Sequence, residues 1–159
     1  MFAADHHTFV IERTFPKPRA RVFAALSTPA TVRRWYLESD SKDLHSFDMD
    51  FRVGGVERAT YRHKGGTPVD GVPFVNEGHY LDIVPLERIV SATAMTAGDR
   101  RISVSLVTFE LSDLSDGGTR LRFTHQGVFF EGADGPGYRE MGWQTLLDRL
   151  ASALDRQAE

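Results

Sequence analysis

The sequence predicts an α+β fold, a curved antiparallel sheet packed on one long C-terminal helix, and three observations carry that prediction. Strand and helix patterns are segregated along the chain in the order strand, two short helices, six strands, long helix. Tight-turn chemistry punctuates the strands, at Gly54-Gly55, Gly65-Gly66, Pro85-Leu86-Glu87, Gly98-Asp99 and Asp116-Gly117-Gly118. The final segment carries one apolar stripe, Trp143, Leu146, Leu147, Leu150 and Leu154, at helical spacing.

Taken in order, Phe9 to Phe15 is rich in β-branched and aromatic residues and stops at Pro16, as a strand does. Pro18 opens a short helix with Val22, Phe23 and Leu26 on a narrow apolar face. Thr28-Pro29 starts a second one, a threonine cap followed by proline at the first helical position, and it carries Trp35 and Tyr36. From Leu44 the period becomes two: Phe47, Met49, Phe51 and Val53 alternate with Asp48, Asp50 and Arg52, so both aspartates face water. The remaining strands are expected at Val56–His63, Phe74–Val84, Arg88–Ala97, Arg100–Leu111 and Thr119–Gly127. Glu131 to Gly137, with three glycines and a proline, reads as a mobile loop before a helix from Tyr138 to about Asp155.

Composition narrows the function classes. A length of 159 residues fits a single domain, placed at 7–157 with residues 1–6 as a flexible N-terminus. No cysteine is present, which excludes disulfides, thiolate metal sites and a cysteine nucleophile. A net charge of −3 argues against a nucleic-acid partner. No apolar run approaches the roughly 20 residues of a membrane span, and no secretory leader opens the chain, so a soluble cytoplasmic protein is expected. Among the six histidines no pair has the i, i+4 spacing of a zinc enzyme, and no phosphate-binding or nucleophile-elbow motif occurs, so neither metal nor cofactor is called for.

Six segments, in this order, resemble the SRPBCC or START-like superfamily. They are Phe15-Pro16-Lys17-Pro18-Arg19-Ala20-Arg21-Val22-Phe23-Ala24-Ala25-Leu26; Thr28-Pro29 with Arg34-Trp35; Phe51-Arg52-Val53-Gly54-Gly55; Glu77-Gly78-His79-Tyr80-Leu81-Asp82-Ile83-Val84-Pro85; Gly118 to His125; and the Gly142-Trp143 helix. The similarity extends over about residues 7–155 and is to the branch named after the activator of the heat-shock protein 90 ATPase. It implies a helix-grip fold, in which the sheet wraps the long helix and leaves an internal cavity open at one end. One departure is that Trp35 is followed by Tyr36-Leu37-Glu38, where relatives often have a second Trp or a Gly, and this changes the cavity rim.

Several residues are candidates for chemistry. Strand alternation puts His125 on the same face as Leu121 and Phe123, where it is either a general base, with an ordinary pKa of about 6.5, or a core histidine bonded to a neighbour. Arg101, Ser103 and Ser105 continue the face of Val107, Phe109 and Leu111 and would make the lining polar toward its mouth. The alternative is a β-bulge that places Ile102, Val104 and Leu106 inside instead. Glu57 and Glu77, with His79 and Asp82, offer acid–base groups on adjacent strands, or simply solvated faces. Arg19, Arg21, Arg33 and Arg34 form a small basic patch on the short helices. The aromatic residues Trp35, Tyr36, Phe47, Phe51, Tyr61, Phe74, Tyr80, Phe109, Phe123, Phe129, Tyr138 and Trp143 are the candidate wall of a hollow, each with plain core packing as its alternative.

Three functional readings stay open. The leading one is a module that binds a small apolar or amphipathic molecule. The second is an enzyme using His125, Glu77 or Glu57, since the resemblance includes polyketide cyclases and aromatases. The third, also implied by the resemblance, is contact with heat-shock protein 90, an activity that belongs there to a longer two-part protein. A homodimer formed through an edge strand is a further expectation.

Overall fold

The computed structural model describes residues 3–130 and 135–156. Among them the elements run β1 (Asp5–Phe15), α1 (Arg19–Ser27), α2 (Pro29–Val32), β2 (Lys42–Met49), β3 (Val56–His63), β4 (Pro73–Val84), β5 (Arg88–Ala97), β6 (Arg100–Asp113), β7 (Thr119–Phe129) and α3 (Pro136–Arg156). The seven strands form one antiparallel sheet in the order β1-β7-β6-β5-β4-β3-β2. Strands β2 to β7 follow the chain as a meander, and β1 closes on β7 from Asp5↔Phe129 to Phe15↔Thr119.

The helices lie against one face of this sheet. On α3 the stripe is buried as its spacing requires, with Trp143, Leu147, Leu150 and Leu154 at most 9% exposed. It meets Leu121 and Phe123 of β7, which are fully enclosed. Arg13 of β1 fastens that edge of the sheet to the helix, donating to Asp148 at 2.7 Å and to Gln144 Oε1 at 2.6 Å. A second cluster, Leu37, Ala59, Tyr61, Phe74 and Ile102, fills the opposite end of the inner face. No helix of the described residues is long and apolar enough to cross a membrane.

Several boundaries differ from expectation. Strand β1 begins at Asp5 instead of Phe9, so Asp5, His6, His7 and Thr8 are paired with β7; their polar side chains gave no apolar alternation to read. Strand β2 ends at Met49, because Asp50 to Gly55 form a turn in which a Cβ on Gly55 would stand 1.9 Å from the Asp50 carbonyl oxygen. Helix α3 begins at Pro136, whose fixed φ suits a first helical turn, so Gly137 belongs to the helix. Residues 131–134 of the expected loop, and residues 1, 2 and 157, lie outside the described residues. Pro29 does open α2, but the Thr28 hydroxyl makes no capping bond; its carbonyl accepts the Val32 N–H at 2.9 Å.

The two alternatives for β6 each hold over part of the strand. Met95 pairs with Ser103 and Thr96 with Arg101, which leaves Ile102 as the extra residue of a bulge. Above the bulge Ser103, Ser105, Val107 and Leu111 are buried, and Val104 and Leu106 face outward. At the bulge Ile102 also turns inward, 7% exposed, and Arg101 is thrown out to solvent. Arg101 therefore lines nothing, because one inserted residue reverses the alternation below Ser103.

Candidate functional site

Helix α2 passes directly into a π-helical turn, Arg33–Leu37, closed by the Glu38 N–H bonding the Arg33 carbonyl at 3.0 Å. Such wide turns are uncommon and recur at functional sites. This one sets two aromatic rings side by side. Trp35 is buried and donates its indole N–H to the Ala25 carbonyl at 2.8 Å. Tyr36 stacks on Trp143 of α3, with ring centroids 5.7 Å apart. Arg149 holds the turn to α3 through the Arg34 carbonyl at 3.0 Å.

Behind these rings lies an inner recess of about 100 Å³. Its walls include Leu26, Val32, Trp35, Tyr36, Tyr80, Ile89, Val107, Phe109, His125 and Trp143. Gly78 and the small residues Ser91 and Thr93 line it as well, and the hollow owes its space to them. Glu57, from β3, faces in and accepts a hydrogen bond from the Tyr80 hydroxyl. Burial pushes the Glu57 carboxyl above its usual range. The Tyr80 and Tyr36 hydroxyls are pushed well above the phenol range, first by burial and then by the charge on Glu57. Asn76 stands between two phenols at longer reach, donating to Tyr36 at 3.5 Å and accepting from Tyr61 at 3.4 Å.

His125 closes the far side. Its ring stacks on Phe9 with centroids 4.8 Å apart and planes 6° from parallel, and it is 1% exposed. Burial, and then the Arg139 charge, push it down to about 4, so the ring is neutral near pH 7. Its Nδ1 finds no hydrogen-bond partner among the described residues, and the same holds for Ser105 Oγ on the neighbouring strand. Gly127 makes room for this ring: a Cβ there would sit 2.9 Å from His125 Cε1 and 2.8 Å from Phe129 Cε2.

A second, outer recess of about 470 Å³ opens between α3 and the β2–β5 end of the sheet. Tyr61 and Phe74 stack at 5.6 Å, and His63 meets both edge-on, at 5.5 and 4.9 Å. Lys42 holds its Nζ 5.0 Å from the centre of the Tyr61 ring. Tyr36, Asn76, Met95, Arg139 and Trp143 border both recesses and form the neck between them. At that neck Arg139 donates to Ser103 Oγ at 2.9 Å and lies over the Phe129 ring at 5.1 Å.

The candidate residues thus divide. Trp35, Tyr36, Glu57, Tyr80, Phe109, His125 and Trp143 gather at the inner recess, and Tyr61, Phe74 and the exposed Tyr138 at the outer one. Phe47 packs into the second core cluster, and Phe51 between Phe23 and Tyr80. Phe123 backs Trp143 at 4.2 Å, and Phe129 backs His125 at 6.1 Å. Ser103 serves Arg139 rather than the hollow. Glu77 borders the inner recess, but its position opposite Arg58 sends the carboxylate to the outer face, 3.3 Å from Arg58 and 3.4 Å from His79. Glu57 and Glu77 therefore occupy opposite faces and cannot divide acid and base roles at one site. Among the described residues no three His, Asp or Glu side chains gather as a metal site.

Sequence reasoning passed over Arg139, Asn76, Met95 and Lys42. Three of these carried a signal. Arg139 lies four residues before Trp143, on the buried side of α3. Asn76 alternates with Phe74 and Tyr80, and Lys42 lies two before Leu44 on the inward face of β2.

The fold and this pair of recesses can be set beside known proteins. The sequence profile of the family described as "Activator of Hsp90 ATPase homolog 1-like protein" matches residues 16–155. The chain belongs to this family. The family lies in the SRPBCC superfamily, and the open seven-stranded sheet with its C-terminal helix is the helix-grip fold of its solved members. A protein from Rhizobium loti is 41% identical, with a TM-score of 0.84 over 96% of this chain and 99% of that one. A protein from Rhizobium leguminosarum is 39% identical, with a TM-score of 0.87 over 97% of each chain. Another, from Chromobacterium violaceum, is 26% identical at a TM-score of 0.75, over 92% of this chain and 96% of that one. No curated protein matches the chain at a significant level.

Proposed function

We propose that the inner recess binds a small, uncharged amphipathic molecule and that the protein works by holding it. The observation that carries this reading is His125 Nδ1, a buried ring nitrogen without a partner among the described residues on the wall of a mostly apolar hollow. An unsatisfied buried polar atom costs about 1–3 kcal/mol, and a ligand hydroxyl or amide N–H would remove that cost. Across the hollow, the Tyr80–Glu57 pair presents a carboxyl whose charge is disfavoured by burial and which can exchange hydrogen bonds with an uncharged ligand. Family membership supports the same reading at the level of a ligand-binding helix-grip domain.

Native mass spectrometry of protein purified from its own host tests it, followed by thermal shift with the recovered molecule. At a hundredfold excess over Kd a bound ligand adds about 2.7 kcal/mol, so Tm should rise by about 5–10 °C in a chain of this size. His125→Phe, which preserves the stack on Phe9, should reduce that rise. A ligand that stabilises the variant as well as the wild type, or that carries a charge into the inner recess, overturns the reading.

Catalysis has less support. His125 is not hydrogen-bonded to Glu57 or to any other carboxylate among the described residues, and a ring held at about 4 is a weak base. The family description itself favours a second reading, contact with heat-shock protein 90. A pull-down against that chaperone tests it, and no retention removes it. Homodimerisation through the open edges β1 and β2 is part of the proposal too, and sedimentation at the 17.8 kDa monomer mass alone would remove it. So is a location in the cytoplasm.

A further inference from the structure

We propose that the outer recess is a binding site for an aromatic carboxylate, with Lys42 meeting the carboxylate and the Tyr61–Phe74 stack meeting the ring. This goes beyond the reading of the inner recess and does not need that recess to be filled. Three features of the outer recess support it. Its volume, about 470 Å³, falls in the range of small-molecule pockets, roughly 300–1,000 Å³. Its walls are flat and aromatic, Tyr61 lying 13° from parallel with Phe74 and Trp143 closing the side of α3. And one of its cations, Lys42, is turned inward with no anion beside it among the described residues.

That last feature is unusual for a lysine. Lys64, close by, reaches outward and pairs with Asp43 at 2.8 Å, which occupies the carboxylate adjacent to Lys42 in sequence. Lys42 instead points over the Tyr61 ring, and no carboxylate lies within ion-pair distance of it among the described residues. Arg149 of α3 adds a second positive charge to its surroundings. A half-buried ammonium facing a ring and a like charge gains strongly from an incoming anion. Arg139 is engaged by Ser103 and the Phe129 ring and Arg149 by the Arg34 carbonyl, so Lys42 is the charge that faces the flat slot, an arrangement suited to a ring bearing one carboxylate.

The pH dependence has a definite sign. Burial, and then Arg149, push the Lys42 ammonium down to about 8. The other titratable or charged groups of the recess are His63 and Tyr61 on β3, Tyr36 on the π-helical turn, Tyr138, Arg139 and Arg149 on α3, and Asp70 beside His63. Burial pushes His63 below its ordinary value, so it is already neutral above pH 7. Loss of charge just above neutrality therefore belongs to Lys42, and an anion should bind best below pH 8 and weaken above it.

Titration calorimetry with 2-naphthoate and its neutral isostere 2-naphthamide tests the proposal on wild type, Lys42→Met, Lys42→Arg and Ser91→Leu, the last of which fills the inner recess. Naphthoate should bind wild type about fivefold more weakly at pH 9 than at pH 7, since roughly one in ten amines of pKa about 8 stays protonated there and the neutral form keeps about a tenth of the affinity. Lys42→Met should weaken naphthoate about tenfold at pH 7 and leave naphthamide unchanged. Lys42→Arg, permanently charged, should bind naphthoate at pH 9 as at pH 7. Ser91→Leu should leave naphthoate binding intact, whatever it does to a ligand of the inner recess. Equal naphthoate affinity in Lys42→Met, no binding to wild type at millimolar concentration, or loss on Ser91→Leu would each overturn the proposal.

Discussion

At His125 burial has selected the neutral ring, and this makes stability depend on acid. The imidazole titrates at about 4 in the folded chain against 6.5 when unfolded, so between those values the unfolded chain holds more protons. Its contribution is therefore complete above pH 6.5 and disappears as pH falls toward 4. The gap corresponds to about 3 kcal/mol, and urea unfolding should show wild type losing about 2–3 kcal/mol more than His125→Phe between pH 7 and pH 4.5. Glu57 has the opposite sign. Its carboxyl is raised above 4.5, so the folded state loses stability as pH climbs past that value. Glu57→Gln keeps a partner for the Tyr80 hydroxyl without a charge, and should be more stable than wild type at pH 8, an advantage that shrinks at pH 4. The inward aim of His125 was legible in the sequence, because Leu121 and Phe123 mark its face two and four residues earlier. The separation of Glu57 from Glu77 was not. It depends on which residue of β3 stands opposite which of β4, a register that a strand's own alternation does not contain.

The elements differ in how strongly they resist change. Leu147 and Leu150 on α3 are fully enclosed, and truncating either to Ala should cost about 2–5 kcal/mol in denaturant unfolding. Leu146, only partly buried beside the outer recess, should cost clearly less. On β7, Gly127→Ala would drive a methyl group into two rings and should cost about 1–3 kcal/mol. Turn glycines, proline at a helix start and the apolar stripe of α3 made most elements readable, since each is a local rule. The bulge at Ile102 and the four extra pairs of β1 are set by a neighbouring strand, and no local pattern announces them. The π-helical turn likewise leaves no spacing signature, although Trp35-Tyr36 marked where it would matter.

For the molecule as a whole, the pairing of β1 with β7 is the decisive closure. Asp5 meets Phe129, so the sheet is complete only when segments more than a hundred residues apart in the chain come together. Such long-range pairing slows folding, and stopped-flow refolding should run on a scale of milliseconds to seconds. The overall architecture was readable from element order and from resemblance. The division of its hollow into two compartments was not, since it follows from how Tyr36 of the π-helical turn meets Arg139 and Trp143 of α3. The bulge of β6 has a bearing on how that division can change over generations. An ordinary strand gives one face to one surface, and a substitution there is felt along the whole row. At Ile102 the row is broken, so this residue faces the outer chamber while Val107 and Phe109, farther along the same strand, face the inner one. Selection can thus remodel one chamber through Ile102 and leave the other's walls in place, letting a single scaffold acquire new ligands one compartment at a time.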